Sequence, residues 1–152
     1  MELQVGVKIL LKNSDGKYLL VRRNPKKYPE VGPKWDIVGG RINPGTPLLE
    51  NLQREIKEEV GLDYNGKPEL VAAQDIFVRR QADSANNADK APEEIFRHVV
   101  RLTFLGELNG EPTIDEEHLE AGWFSAEEIS HIDPNLLDGF FNSLLAEKVI
   151  TL

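Results

Sequence analysis

The stretch Gly39-Gly40-Arg41-Ile42-Asn43-Pro44-Gly45-Thr46-Pro47-Leu48-Leu49-Glu50-Asn51-Leu52-Gln53-Arg54-Glu55-Ile56-Lys57-Glu58-Glu59-Val60-Gly61-Leu62 constrains this chain more than any other part of it. It reads as a Gly-rich turn, a helix and a stop. Thr46 suits an N-cap, Pro47 the first helical position, where a missing N–H costs nothing, and Gly61 the left-handed residue after the last turn. At about 100° per residue, Leu49, Leu52, Ile56 and Val60 fall on one stripe, the expected buried face. Glu55 and Glu59 lie one turn apart beside that stripe, with Glu58 next to them, so three carboxylates share one arc. Like charges at this spacing repel by a few tenths of a kcal/mol per pair, roughly, away from the helix N-terminus that would favour them. A solvated acidic face is the plain explanation. A divalent cation is the other, since Mg²⁺ takes oxygen ligands and commonly one or two carboxylates with substrate phosphate.

The wider pattern decides between them. Gly40, followed at the right distance by Arg54-Glu55-Ile56-Lys57-Glu58-Glu59-Val60-Gly61-Leu62, resembles the signature of the Nudix hydrolases. From average residue usage, that many matches coincide by chance at fewer than roughly one in a million starting points. Two positions depart from the family pattern: Thr46 stands where the family usually has a Glu, and Val38 where Pro often precedes the glycine pair. The resemblance implies an α/β fold, a Nudix-type α/β/α sandwich with a central mixed sheet, occupying 1–152 as a single domain with its signature at 40–62. It implies hydrolysis of a diphosphate linkage in a nucleoside diphosphate derivative, with Mg²⁺ or Mn²⁺ held by Glu55, Glu58, Glu59 and the Gly40 carbonyl. Glu58 could instead hold the attacking water. Arg54 is expected to orient a signature carboxylate by a bidentate pair, and its spacing also permits pairing with Glu50 or Glu58.

Composition narrows the alternatives. With 152 residues and 40% hydrophobic content, one globular domain is the simplest expectation. A net charge of −8 argues against a general nucleic-acid or anionic-membrane binder. There is no cysteine, so disulfides, thiol nucleophiles and Cys-type zinc sites are excluded. The N-terminus has no basic region followed by an apolar run, and no stretch approaches a membrane span, so a cytoplasmic protein is the expectation.

Along the chain, Val5 to Leu11 and Lys17 to Arg22 alternate around Asn13-Ser14-Asp15-Gly16, a hairpin. The Pro-rich segment from Arg23 to Pro33 carries dense positive charge, and Arg22, Arg23 and Lys26 are candidate substrate-binding residues by charge and stacking. Trp35 to Val38 is a short strand delivering the chain to the glycine pair, with Trp35 in the core or the pocket wall. Leu70 to Val78 and Ile95 to Leu108 read as paired strands, separated by an apolar-poor loop from Gln81 to Glu94, either a lid or a plain loop. Asp115 to Phe124 resembles the late acidic loop that supplies a further metal ligand or general base in many family members. Glu117 and Glu120 are the candidates there, with His118 a weaker one on the grounds that a lone histidine is usually a surface residue. Ser125 to Glu128 has capping-box spacing, and Pro134 is expected to open a C-terminal helix that packs Leu136, Leu137, Phe140, Phe141, Leu144 and Leu145 on the sheet, with Gly139 its weak point.

Two other functions remain open on residues alone: a nucleotide-binding module of the same fold without turnover, which Thr46 allows, and a plain interaction domain, which requires the signature to be coincidence. No tag for coenzyme A, NADH or ADP-ribose hydrolases is present. Nucleoside triphosphates and nucleotide sugars remain as small-molecule substrates, read by the Arg22 to Val31 loop and the strands around Phe77 and Arg101. The family resemblance also allows a homodimer.

Overall fold

The structure, a computed structural model, describes residues 1–80 and 94–152. In chain order it contains β1 (Glu2–Lys12), β2 (Tyr18–Arg23), β3 (Trp35–Asp36), β4 (Val38–Arg41), α1 (Leu48–Val60), β5 (Glu69–Arg80), β6 (Glu94–Glu107), β7 (His118–Phe124), α2 (Ala126–Ser130), a single 3₁₀ turn (Pro134–Leu136) and α3 (Gly139–Ala146). The expected loop from Gln81 falls outside the described residues as far as 93, and Glu94 already belongs to β6.

The strands form one sheet in the order β3-β2-β1-β6-β5, with β4 also on β1 and β7 also on β2. β1 and β6 run parallel and the other pairs antiparallel, so the sheet is mixed. Period-two alternation sends neighbouring side chains to opposite faces. Val7, Ile9 and Leu11 of β1, with Leu19 and Val21 of β2, meet Leu52, Ile56 and Val60 of α1. Leu10, Tyr18 and Leu20 face the other way, onto Ile129, Leu137, Phe141 and Leu144. Helices on both faces explain why Ile9-Leu10-Leu11 is a continuous apolar run, and they give the α/β/α sandwich expected from the sequence.

β2 meets β1 only at Lys12↔Tyr18, whereas the other half of β1 takes β4, pairing Gly6↔Arg41 through Ile9↔Val38. The two hairpin strands therefore part company beyond the turn. The space between them becomes a cleft of about 410 Å³, walled by Gly6 and Lys8 of β1, Val21 and Arg23 of β2, and Gly39 and Gly40 of β4.

Three local expectations change. Pro47, not Thr46, occupies the N-cap of α1, and no side chain caps there in the usual way. Instead Asn51, fully buried, accepts from the Asn43 N–H at 3.0 Å and donates to the Thr46 and Pro47 carbonyls, both at 2.8 Å. Leu49 is 40% exposed, because the helix turns Asn51 and Glu59 inward beside Leu52, Ile56 and Val60. Pro134 opens only the 3₁₀ turn; Leu137 is extended, and α3 begins at Gly139 behind an Asp138 cap that accepts from the Phe141 N–H. Gly139 thus heads the helix rather than weakening its middle. Gly61 does adopt the left-handed conformation, φ 72°, and the Ser125–Glu128 capping box forms.

Candidate active site

α1 packs against β4 and β1, and its inward turn carries two of the three signature carboxylates to the backbone of the glycine pair. Glu59, 6% exposed, accepts from the Gly39 N–H through Oε2 at 2.9 Å. Glu55 lies over Gly40 so closely that a Cβ at that residue would stand 2.6 Å from its Oε1. Gly39 is held still more tightly: its φ is +149°, and a Cβ would fall 2.0 Å from the Val7 carbonyl oxygen. Gly39 is thus required by close approach of backbone, while Gly40 leaves room for the end of the Glu55 side chain. Burial pushes the Glu59 carboxyl up to about 8, against the pull of Lys8 and the Gly39 N–H and with the push of Glu55. Burial likewise raises Glu55, against the pull of Arg54. Two carboxyls held near each other in poor solvation are a place where a cation would be stabilising.

Glu58 is different. Its side chain is 56% exposed at the rim, 3.2 Å from Arg54 Nη1. The same Arg54 nitrogen is 3.0 Å from Glu55 Oε1, while Nη2 donates to the Arg41 carbonyl at 3.1 Å and to Asn51 Oδ1 at 3.3 Å. Arg54 therefore bridges two carboxylates through one nitrogen and ties them to the glycine loop, in place of the bidentate pair expected. Among the described residues, no three histidine, aspartate or glutamate side chains converge as a complete metal centre. The donor set nonetheless fits Mg²⁺ or Mn²⁺: two carboxylates and a backbone carbonyl, all oxygen, with room kept by the absent Gly40 side chain and the remaining positions left for water and phosphate.

The late acidic loop divides between two faces. Glu117 lines the cleft, where Tyr28 donates its hydroxyl to Oε2 at 3.0 Å; the tyrosine, by burial and beside Glu117, is pushed up to about 12. His118 is 6% exposed rather than a surface residue, with Nδ1 2.7 Å from Asp115 Oδ1 and Nε2 3.8 Å from Glu59 Oε1. Glu120 lies off the cleft, 3.5 Å from Arg22 Nη1. The three loop cations separate in the same way. Arg23 enters the cleft. Arg22, the next position along the strand, points to the opposite side, donating to the Pro33 carbonyl and lying over the Trp35 ring. Lys26 is exposed and outside the lining.

The floor holds a charged cluster that the sequence did not single out. Asp36, 1% exposed, meets Lys8 Nζ at 2.9 Å, Arg23 Nη2 at 2.5 Å and Arg101 Nη2 at 3.3 Å. Asp138, the cap of α3, takes Arg101 Nη1 at 2.9 Å. Burial alone would raise the Asp36 carboxyl, but Lys8, Arg101 and Arg23 outweigh it and hold it well below the usual carboxylate range. The available signal was a charge within an apolar strand: Lys8 in β1, Asp36 in β3 and Arg101 in β6 each interrupt one, and buried charges are found paired.

Comparison with known proteins gives the family and the fold. A family model described as the NUDIX domain matches residues 2–142. A nucleoside triphosphatase, NudI, from Escherichia coli O17:K52:H18 is 32% identical over 126 residues, covering 81% of this chain and 83% of that protein. Among solved structures, a MutT protein from Methanosarcina mazei Go1 superposes with a TM-score of 0.69 at 23% identity, covering 96% of this chain and 92% of that one. The dihydroneopterin triphosphate pyrophosphohydrolase of E. coli gives a TM-score of 0.63 at 18% identity, with 97% of each chain covered. These two structural likenesses speak for the fold.

Proposed function

The chain belongs to the Nudix hydrolase superfamily, as a pyrophosphohydrolase, and from that premise we propose that it cleaves a diphosphate linkage of a nucleoside triphosphate with Mg²⁺ or Mn²⁺. The observation that carries the metal dependence is the placement of Glu55 and Glu59, one helical turn apart, over the backbone of Gly39 and Gly40. A triphosphate is favoured over a nucleotide sugar by the triphosphatase name of the 32%-identical relative.

Glu55, Glu59 and the Gly40 carbonyl would hold the cation, with Glu58 joining from the rim. When bound, a divalent cation neutralises phosphate oxygens and lowers the pKa of a water. The protein's own groups do the rest. Arg54 holds the Glu55 and Glu58 carboxylates in place. Glu117, steadied by the Tyr28 hydroxyl, is the carboxylate positioned to take a proton from the attacking water, in preference to Glu120, which faces away. Arg23 is the substrate-side cation of the loop; Arg22 is directed elsewhere, and Lys26 is outside the cleft lining. The substrate is a small molecule, and the working compartment in this reading is the cytoplasm. Among the described residues, no helix is long and apolar enough to cross a membrane.

Phosphate release, coupled to a pyrophosphatase and followed with and without Mg²⁺ across nucleoside triphosphates, nucleotide sugars and dinucleotides, tests the proposal. Mg²⁺-dependent turnover of triphosphates, lost in Glu55→Gln and Glu59→Gln, is expected. Nucleotide binding without turnover on any compound would replace it with the binding-module reading.

A further inference from the structure

β1 lines two cavities. Gly6 and Lys8 wall the cleft, whereas Leu10 and Lys12, at the other end of the strand, wall a second space of about 540 Å³ that shares no lining residue with it. Tyr64, from the turn after α1, joins this second space to the interior. Its ring belongs to the core cluster with Ile56 and Val60 and the residue is 2% exposed, yet among the described residues its buried hydroxyl has no hydrogen-bond partner. Buried tyrosine hydroxyls ordinarily find one, because leaving the group unpaired costs free energy.

Two glycines make room for that hydroxyl. A Cβ on Gly106 would stand 2.7 Å from it and a Cβ on Gly66 3.0 Å, and both glycines line the cavity. Neither has a left-handed φ, so backbone conformation does not demand glycine at either position. The fit around Tyr64 does, and neither residue puts a side chain between the hydroxyl and the space. The walls are apolar: Leu10, Tyr18 and Ile150 are buried, with Leu105 packed against them. The rim carries Lys12 and Lys67 against Glu69 and Glu107, all exposed, and is neutral in sum. Burial, and then Glu107, raise the Tyr64 hydroxyl, which keeps it a protonated donor. A carboxylate at that atom would give up its hydration beside Glu107, and a cation offers the donor no acceptor. What matches is a neutral carbonyl oxygen on a compact apolar body.

We propose that the cavity beside Tyr64 is a second ligand site, separate from the cleft, for a small neutral molecule whose apolar body fills the space and whose carbonyl oxygen accepts from the Tyr64 hydroxyl. The probes are ε-caprolactam, δ-valerolactam and cyclohexanone, with cyclohexanecarboxylate as the anion of similar size. Each is titrated into the full chain while the backbone amide signals of Gly66, Gly106, Gly39 and Gly40 are followed by NMR. At least one neutral probe is expected to give saturable shifts at Gly66 and Gly106 with Gly39 and Gly40 unmoved. Tyr64→Phe deletes only an unpartnered hydroxyl, so it should fold with a melting temperature at or above wild type, and it should bind that probe about fivefold more weakly. The carboxylate should bind wild type at least about tenfold more weakly than the neutral probe. No saturable shift with any of the neutral probes, shifts confined to Gly39 and Gly40, equal affinity in Tyr64→Phe, or a carboxylate that binds as tightly as the lactams would each overturn the proposal. Nucleotide turnover enters none of these outcomes, so the hydrolase reading and this site stand or fall separately.

Discussion

The Gly39 N–H donates to Glu59 Oε2 at 2.9 Å, so the carboxylate that would hold a cation is itself aimed by the strand it faces. Glu59→Gln keeps an acceptor for that N–H through its amide oxygen while removing the group that can ionise to hold a cation. The variant is expected to fold with a melting temperature within a few degrees of wild type. Its turnover should fall by about a hundredfold or more, and the rise in melting temperature on adding Mg²⁺ should disappear. Retained Mg²⁺ stabilisation in scanning calorimetry would remove Glu59 from the metal site.

Gly39 and Gly40 should respond differently to a single methyl group. Gly39→Ala places Cβ 2.0 Å from the Val7 backbone oxygen at φ +149° and should unfold or severely destabilise the protein. Gly40→Ala meets only the end of the Glu55 side chain, at 2.6 Å, which can swing aside. Its melting temperature should stay near wild type while activity drops by about tenfold or more. Equal loss of stability in the two variants would contradict this division.

Asn51 does the work that sequence pattern assigns to Thr46. It is fully buried with three backbone partners at the start of α1, so Asn51→Leu is expected to cost about 2–3 kcal/mol by urea denaturation, leaving the Asn43 N–H and the Thr46 carbonyl unsatisfied while the Pro47 carbonyl keeps the backbone N–H of residue 51. Thr46→Ala should stay within about 0.5 kcal/mol of wild type. A large Thr46 effect would restore it as the cap.

Asp36→Asn removes the anion shared by Lys8, Arg23 and Arg101 and should destabilise the protein by about 3–5 kcal/mol at neutral pH. The sign with pH follows from its lowered carboxyl. Asp36 contributes fully above its unfolded value, about 3.9, and that contribution is lost as pH falls through the lower folded value. The gap in stability between wild type and variant should therefore hold down to about pH 4 and narrow only in stronger acid. A gap that closes between pH 7 and 5 would mean another group is responsible.

Glu117 and Glu120 are three residues apart and on different faces, one beside Tyr28 in the cleft and the other beside Arg22 outside it. Glu117→Gln should lower kcat by about a hundredfold with substrate affinity little changed. Glu120→Gln should leave turnover within about twofold of wild type. The reverse order would transfer the base to Glu120.

What could be read from the chain alone was whatever local spacing carries. The arc shared by Glu55, Glu58 and Glu59 follows from helical geometry and the left-handed Gly61 from the cost of a Cβ there, while the two-sided sheet came with the family resemblance. The family signature added the chemistry. Spacing could not say which members of the arc turn inward. Glu59 is buried and Glu58 left at the rim because the arc that α1 buries runs from Asn51 to Val60 with Glu59 inside it, a choice made by packing against β4 and β1. Nor could it bring Lys8, Asp36, Arg101 and Asp138 into one cluster, since residues 28 to 65 positions apart meet only through the parallel pairing of β1 with β6 and the docking of α3. Alternation along β2 put Arg23 in the cleft and Arg22 outside it, and that face is settled only when both sides of the sheet are packed. Periodicity is a property of neighbours in sequence; a site assembled from seven strands and a helix is decided by the long-range contacts that bury it.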